Sequence, residues 1–173
     1  SSANLGDYGN IREYTLPAGY TVNDILDIAI DYENNLVFTW FKDGKRCKGT
    51  TTDLDADGGP IAFTLPTGYT IADIVAIDID GDVDRSYTWY KNGMRSIGSS
   101  TDLDQFGAPA AYTLPIGYTP NDIIDIAIDG NVNWSWVYFK NGKKCAGSTR
   151  DLDAFSPIAN YTAACGYIPS DIV

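Results

Sequence analysis

Residues 122–147 read DIIDIAIDGNVNWSWVYFKNGKKCAG, and the pattern recurs at 73–98 as DIVAIDIDGDVDRSYTWYKNGMRSIG and at 24–49 as DILDIAIDYENNLVFTWFKDGKRCKG. In each copy a first segment alternates, so that Ile28 and Ile30, Ile77 and Ile79, and Ile126 and Ile128 fall on one face. Alternation of period two predicts a half-buried β-strand. The next segment carries rings at alternate positions, Phe38 and Trp40, Tyr87 and Trp89, Trp136 and Tyr138, and it ends in Asp43-Gly44, Asn92-Gly93 or Asn141-Gly142. Such a pair between extended segments predicts a two-residue hairpin of type I′, in which both central residues take positive φ. No segment sustains the 3.6-residue apolar period of a helix.

The copies lie 49 residues apart, and about 17 of those 49 positions are identical in all three, among them Pro17/Pro66/Pro115, Gly19/Gly68/Gly117, Asp24/Asp73/Asp122, Lys42/Lys91/Lys140 and Asp53/Asp102/Asp151. One supersecondary unit has been repeated. Residues 4–26 match residues 151–173, so partial units stand at both ends. Each unit holds two further strand signals, from Cys47 to Thr51 and from Ala62 to Leu65 in the first copy, before a Pro-x-Gly-Tyr turn. Four antiparallel strands per unit match a β-propeller blade, whose first strand lines the axis. The expected fold is all-β, a single domain of tandem four-stranded antiparallel repeats arranged as a propeller of about four blades, the last incomplete. Residues 1–24 form a partial unit, and 25–73, 74–122 and 123–171 are the three repeats. A closed four-bladed ring needs roughly 20 more residues, so a truncated chain, a ring completed by another copy and an open β-solenoid are the alternatives.

Composition narrows the function. Lys and Arg number 12 against 23 Asp and Glu, a net charge of −11 that opposes nucleic acid and anionic lipid as partners. No apolar run approaches the ~20 residues of a membrane span. The chain has no histidine, which removes the commonest general base, the Ser-His triad and imidazole metal ligation. Its three cysteines, Cys47, Cys145 and Cys165, have no CxxC spacing, so no zinc site is indicated. The start Ser1-Ser2-Ala3 fits the product of a signal peptidase, and an extracellular location is expected.

The stretch DIIDIAIDGNVNWSWVYFKNGKKCAG resembles the hemopexin-type propeller repeat, in which an inner strand precedes an aromatic strand ending in Phe-Lys-Gly. It is also similar to secreted bacterial and fungal propeller lectin repeats with a tryptophan-rich strand in each blade. The Trp-Arg pair that usually follows in hemopexin repeats is absent here. The resemblance implies recognition rather than catalysis.

Candidate chemistry follows the repeat. Trp40, Trp89 and Tyr138, with Trp134 and Trp136 added in the last unit, could offer flat faces to sugar rings, flanked by Asp53, Asp102 and Asp151 as hydroxyl acceptors. The competing reading packs those rings between units. Asp78, Asp80, Asp82 and Asp84 place alternate carboxylates beside a glycine, the pattern calcium favours, and are the candidate cation ligands; a solvated acidic turn is the alternative. Asp24, Asp73, Asp122 and Asp171 are expected to cap turns, and Lys42, Lys91 and Lys140 to pair with the Asp53-type carboxylates. Asn133-Trp134-Ser135 and Asn160-Tyr161-Thr162 are glycosylation sequons. A Cys145–Cys165 bridge is conceivable.

Catalysis needs one asymmetric constellation, whereas these polar residues recur in every unit, so no enzyme is expected. Two functions fit: a multivalent, lectin-like module binding glycans or glycoconjugates without any cofactor beyond calcium, and a structural or adhesive protein that self-assembles into filaments or rings through its terminal half-units.

Overall fold

The computed structural model describes residues 3–6, 11–164 and 166–172. These form three four-stranded antiparallel sheets, with no α-helix among the described residues. The first sheet holds β1 (Ile25–Asp31), β2 (Leu36–Phe41), β3 (Lys45–Gly49) and β4 (Gly58–Ala62). The second holds β5 (Ile74–Asp80), β6 (Arg85–Tyr90), β7 (Met94–Gly98) and β8 (Gly107–Ala111), and the third β9 (Ile123–Asp129), β10 (Trp134–Phe139), β11 (Lys143–Gly147) and β12 (Ser156–Asn160). Strand order follows chain order in each. The repeated all-β units expected from the sequence are present.

Each sheet is entered through the Pro-x-Gly-Tyr turn. The Tyr20 N–H donates to the Pro17 carbonyl at 3.1 Å, and Gly19 takes φ 90°, the left-handed conformation that the third position of a type II turn requires. A one-turn 3-10 segment follows, closed as expected by an aspartate: Asp24 Oδ2 accepts the Thr21 N–H at 2.8 Å, and Asp73 and Asp122 do the same for Thr70 and Thr119 at 2.7 Å. These bonds hold the three carboxyls below their ordinary pKa.

The hairpin into the third strand differs from the type I′ expectation. Of each Asx-Gly pair only the glycine has positive φ, 84° at Gly44, 80° at Gly93 and 76° at Gly142, and the Gly44 N–H donates to the Phe41 carbonyl at 3.1 Å. This is a three-residue loop, a type I turn closed by a left-handed glycine. Two bonds favour it. The Lys42 N–H is anchored on the Asp24 carbonyl at 2.9 Å, and Asp43 Oδ1 accepts the Lys45 N–H at 3.1 Å.

The third and fourth strands also begin earlier than expected, and the chain crosses to the next sheet at Thr64, just after the Phe63 N–H bonds the Gly44 carbonyl of its own. The Thr64 N–H donates to the Thr101 carbonyl at 2.8 Å and the Leu103 N–H returns to the Thr64 carbonyl at 3.1 Å, an isolated parallel bridge. Thr15 with Asp53 and Thr113 with Asp151 repeat it. A fourth bridge of the same kind joins Asn4 to Thr162: the Thr162 N–H donates to the Ala3 carbonyl at 2.8 Å, and the Leu5 N–H to the Thr162 carbonyl at 3.1 Å. The partial units at the two ends thus meet each other.

Packing between sheets supplies the core. Phe38 and Trp40 lie against Ile74, Ile77, Ile79, Tyr90 and Leu103, and Trp89 lies against Ile123, Ile126, Ile128, Phe139 and Leu152. β5, which contacts both β1 and β9, is therefore buried on both faces through Ala76, Ile77, Asp78 and Ile79, where a half-buried strand was expected. Ala29 and Ala76 leave room for the neighbouring sheet on the second face. Among the described residues no helix is long and apolar enough to cross a membrane.

Candidate functional site

The aromatic strand divides by sheet. Trp40 and Trp89 are 0% exposed. Each indole N–H crosses to the following sheet, Trp40 Nε1 donating to the Ser100 carbonyl at 3.1 Å and Trp89 Nε1 to the Thr149 carbonyl at 3.0 Å. Neither ring has a face to offer a sugar, because the isoleucines of the next sheet cover it. The sugar-facing role expected for Trp40 and Trp89 is corrected to the packing one.

Asp53, Asp102 and Asp151 sit on the bridging turns. Their main-chain N–H groups donate to Thr50 Oγ1, Ser99 Oγ and Ser148 Oγ at 3.0–3.1 Å, while their carbonyls accept the Thr50, Ser99 and Ser148 N–H at 2.7–2.8 Å. The carboxyls are exposed or half-exposed. The lysines do not pair with them: Lys42, Lys91 and Lys140 Nζ donate instead to the Asn23, Ala72 and Asn121 carbonyls at 2.5–2.7 Å, closing the 3-10 segments.

The acidic stretch is split as well. Asp78 and Asp80 are buried, Asp82 and Asp84 exposed. Asp78 turns into the third sheet, where its Oδ2 accepts the Ile128 N–H. Among the described residues no group of three His, Cys, Asp or Glu side chains has the geometry of a metal site.

The remaining candidates, Trp134, Trp136 and Tyr138, lie on the third sheet, where no further sheet covers the aromatic face. All three are half-buried. Trp134 stacks on Phe155 at 5.5 Å, and Tyr138 meets Tyr161 edge-on at 5.2 Å. Trp136 and Tyr138 form one wall of a crevice of about 640 Å³. The first sheet lines it through Ile30, Tyr32 and Glu33 and the second through Ile79 and Gly81, and Leu5 of the bridged N-terminal segment reaches it as well. Asp82, Asp129 and Asn131 reach it from the turns after the inner strands. Neither Leu5, Tyr32, Glu33, Asp129 nor Asn131 was singled out in the sequence, although Tyr32 carries a signal, since Gly81 and Gly130 hold its position in the other repeats.

Lys144 Nζ stands 4.4 Å from the centroid of the Trp136 ring, and burial holds its pKa below the ordinary value. Three carboxyls, Asp27, Asp78 and Asp125, lie close enough on the inner strands to feel one another's charge. Burial, then the charges of neighbouring carboxylates, raises Asp27 and Asp78 well above the usual range, and burial brings Asp125 to about 6. Asp27 Oδ2 accepts the Ile77 N–H of the second sheet at 2.5 Å. Tyr138 is pushed up to about 12, chiefly by burial, and its phenol is neutral.

Cys47 and Cys145 are buried free thiols whose Sγ donate to the Leu54 and Leu152 carbonyls at 2.9 and 3.1 Å. Cys165, the other half of the bridge considered from sequence, lies outside the described residues.

No protein-family model matches this chain, and comparison with curated proteins finds no match.

Proposed function

We propose that this chain is a non-catalytic, extracellular assembly module of propeller type: its repeat sheets stand around one axis, and it works by seating another polypeptide in the open position between its third and first sheets. One observation carries the reading. The ring position that a neighbouring sheet seals at Trp40 and Trp89 is left half-open at Tyr138, and an aromatic surface rimmed by polar groups marks a binding face. The four equivalent bridges support the propeller arrangement over an open stack, since the fourth joins Asn4 to Thr162. With the end units engaged on each other, the assembly surface is the crevice rather than the terminal half-units.

Glycan binding is the second reading, favoured by the convergence of Tyr32, Trp136 and Tyr138 with Glu33, Asp82 and Asn131 on one crevice. It would be a single site, since Trp40 and Trp89 are enclosed.

Sedimentation velocity over rising concentration, run beside a glycan array, tests both. Species larger than the monomer that vanish in Trp136→Asp support assembly. A strictly monomeric protein that retains a glycan through Trp136 supports the second reading and overturns the first.

A further inference from the structure

We infer that the crevice is the seat of a β-hairpin of this repeat's own kind: an inner strand with isoleucines at alternate positions, followed by an aromatic strand. The inference rests on the crevice being the assembly surface and names what enters it.

The third-sheet wall specifies one side of the occupant. Trp136 and Tyr138 hold the repeat positions of Phe38 and Trp40, which are covered by Ile77 and Ile79, and of Tyr87 and Trp89, which lie against Ile126 and Ile128. Asp129 holds the position of Asp31 and Asp80, whose carboxylates pack against glycines of the following sheet. A Cβ on Gly81 would lie 2.4 Å from Asp31 Oδ1, and one on Gly130 would lie 2.9 Å from Asp80 Oδ1. Asp129 instead lines the crevice. This wall therefore matches an isoleucine face followed by a glycine-opened turn.

The first-sheet wall specifies the other side. Ile28 and Ile30 are half-buried, whereas Ile77, Ile79, Ile126 and Ile128 at the same positions are buried against the aromatic strand of the preceding sheet, although Ile79 and Ile128 also reach the crevice. Leu5 is 43% exposed, whereas Leu54, Leu103 and Leu152, its equivalents at the other bridges, are 0–2% exposed. Isoleucines left open in this register are complementary to rings spaced as in Phe38 and Trp40. A sheet with isoleucines on one side and rings on the other satisfies both walls, and the two sealed interfaces within the chain are already of that kind. Tyr32 in place of the glycine removes the room for a carboxylate on this side, so a small residue at the end of the occupant's inner strand fits better than aspartate.

The test titrates a fluorescent synthetic peptide of residues 122–147, Cys145 replaced by serine, into the full chain and follows anisotropy, with a scrambled peptide beside it. Saturable one-to-one binding of the repeat peptide alone is expected. Trp136→Ala on one wall and Ile30→Asp on the other should each weaken it at least about tenfold, ~1.4 kcal/mol, and Asp129→Gly in the peptide should strengthen it. Hydrogen exchange on the unsubstituted chain gives an answer independent of how the variants fold: protection on peptide addition should appear in β1, β10 and around Leu5. Equal binding of both peptides, no protection at those segments, or displacement of the peptide by a glycan would overturn the inference. Concentration-dependent assembly without peptide binding would remove the hairpin and leave the assembly reading, whereas peptide binding by a chain that never self-associates would keep the hairpin and exclude assembly between copies.

Discussion

The Asp27 carboxylate accepts the main-chain N–H of Ile77 at 2.5 Å, tying the inner strand of the first sheet to that of the second, and Asp78 ties the second to the third through Ile128. These are inter-sheet bonds made by side chains buried with too few partners for a full charge. A protonated carboxyl keeps the accepting oxygen and sheds the charge.

Stability should therefore depend on pH in a defined direction. A carboxyl whose folded pKa is raised contributes stability that is present below its unfolded pKa and lost as pH rises through the folded one. For Asp125, raised from 3.8 to about 6, the loss runs across that interval. The caps Asp24, Asp73 and Asp122, lowered in the fold, act oppositely and lose their contribution in more acidic solution. Thermal unfolding should occur at a higher temperature near pH 5 than at pH 7.5. Asp125→Asn should raise the melting temperature at pH 7.5 and flatten the slope; an unchanged slope would remove Asp125 as its source.

Replacing the enclosed indoles should unfold rather than disarm the protein. Trp89→Ala removes a fully buried ring and leaves the Thr149 carbonyl without its donor, a loss of about 3–5 kcal/mol by comparison with other large-to-small core changes. Trp134→Ala, which gives up a half-exposed stack on Phe155, should cost under about 1.5 kcal/mol. Urea denaturation of the two variants separates these outcomes, and equal midpoints would contradict the packing assigned to Trp89.

Much of this organisation was legible in the residues. The 49-residue repeat shows as self-similarity, and the Asp24-type caps follow from an aspartate placed between the Gly-Tyr turn and the strand. The crevice was not legible, because it arises from what stands opposite each strand. Trp89 and Tyr138 occupy the same repeat position, and only the presence or absence of a covering sheet makes one core and the other surface. The hairpin type was hidden for a local reason: Asn-Gly is compatible with both turns, and the bond from the Lys42 N–H to the Asp24 carbonyl, which adds a residue to the loop, comes from a separate segment.

Gly98 should tolerate no side chain. A Cβ there would fall 2.0 Å from the Asp102 carbonyl oxygen, and Gly49 and Gly147 meet Asp53 and Asp151 at 2.2 and 2.0 Å. The bridging turn must move away from the strand to admit even a methyl group, which puts Gly98→Ala at about 1–3 kcal/mol or more of overpacking strain. Gly59→Ala, where a Cβ meets nothing within 4 Å, is the matched control. Similar melting temperatures for the two variants would refute the tight turn.

The two described cysteines should behave as core atoms rather than reactive thiols. Burial raises Cys47 to about 11 and Cys145 to about 12, which leaves little thiolate at pH 8. In the second repeat Ser96 takes their place and its Oγ donates to the Leu103 carbonyl at 2.8 Å, as the thiols do to Leu54 and Leu152. The position thus selects a small donor facing a carbonyl, not sulfur chemistry. Cys145→Ser should keep that bond and cost no more than about 1.5 kcal/mol, whereas Cys145→Val removes the donor and should cost more. Peptide-resolved alkylation at pH 8 should leave Cys47 and Cys145 unmodified in the native protein and label both in urea; rapid labelling of either in the native state would contradict its burial.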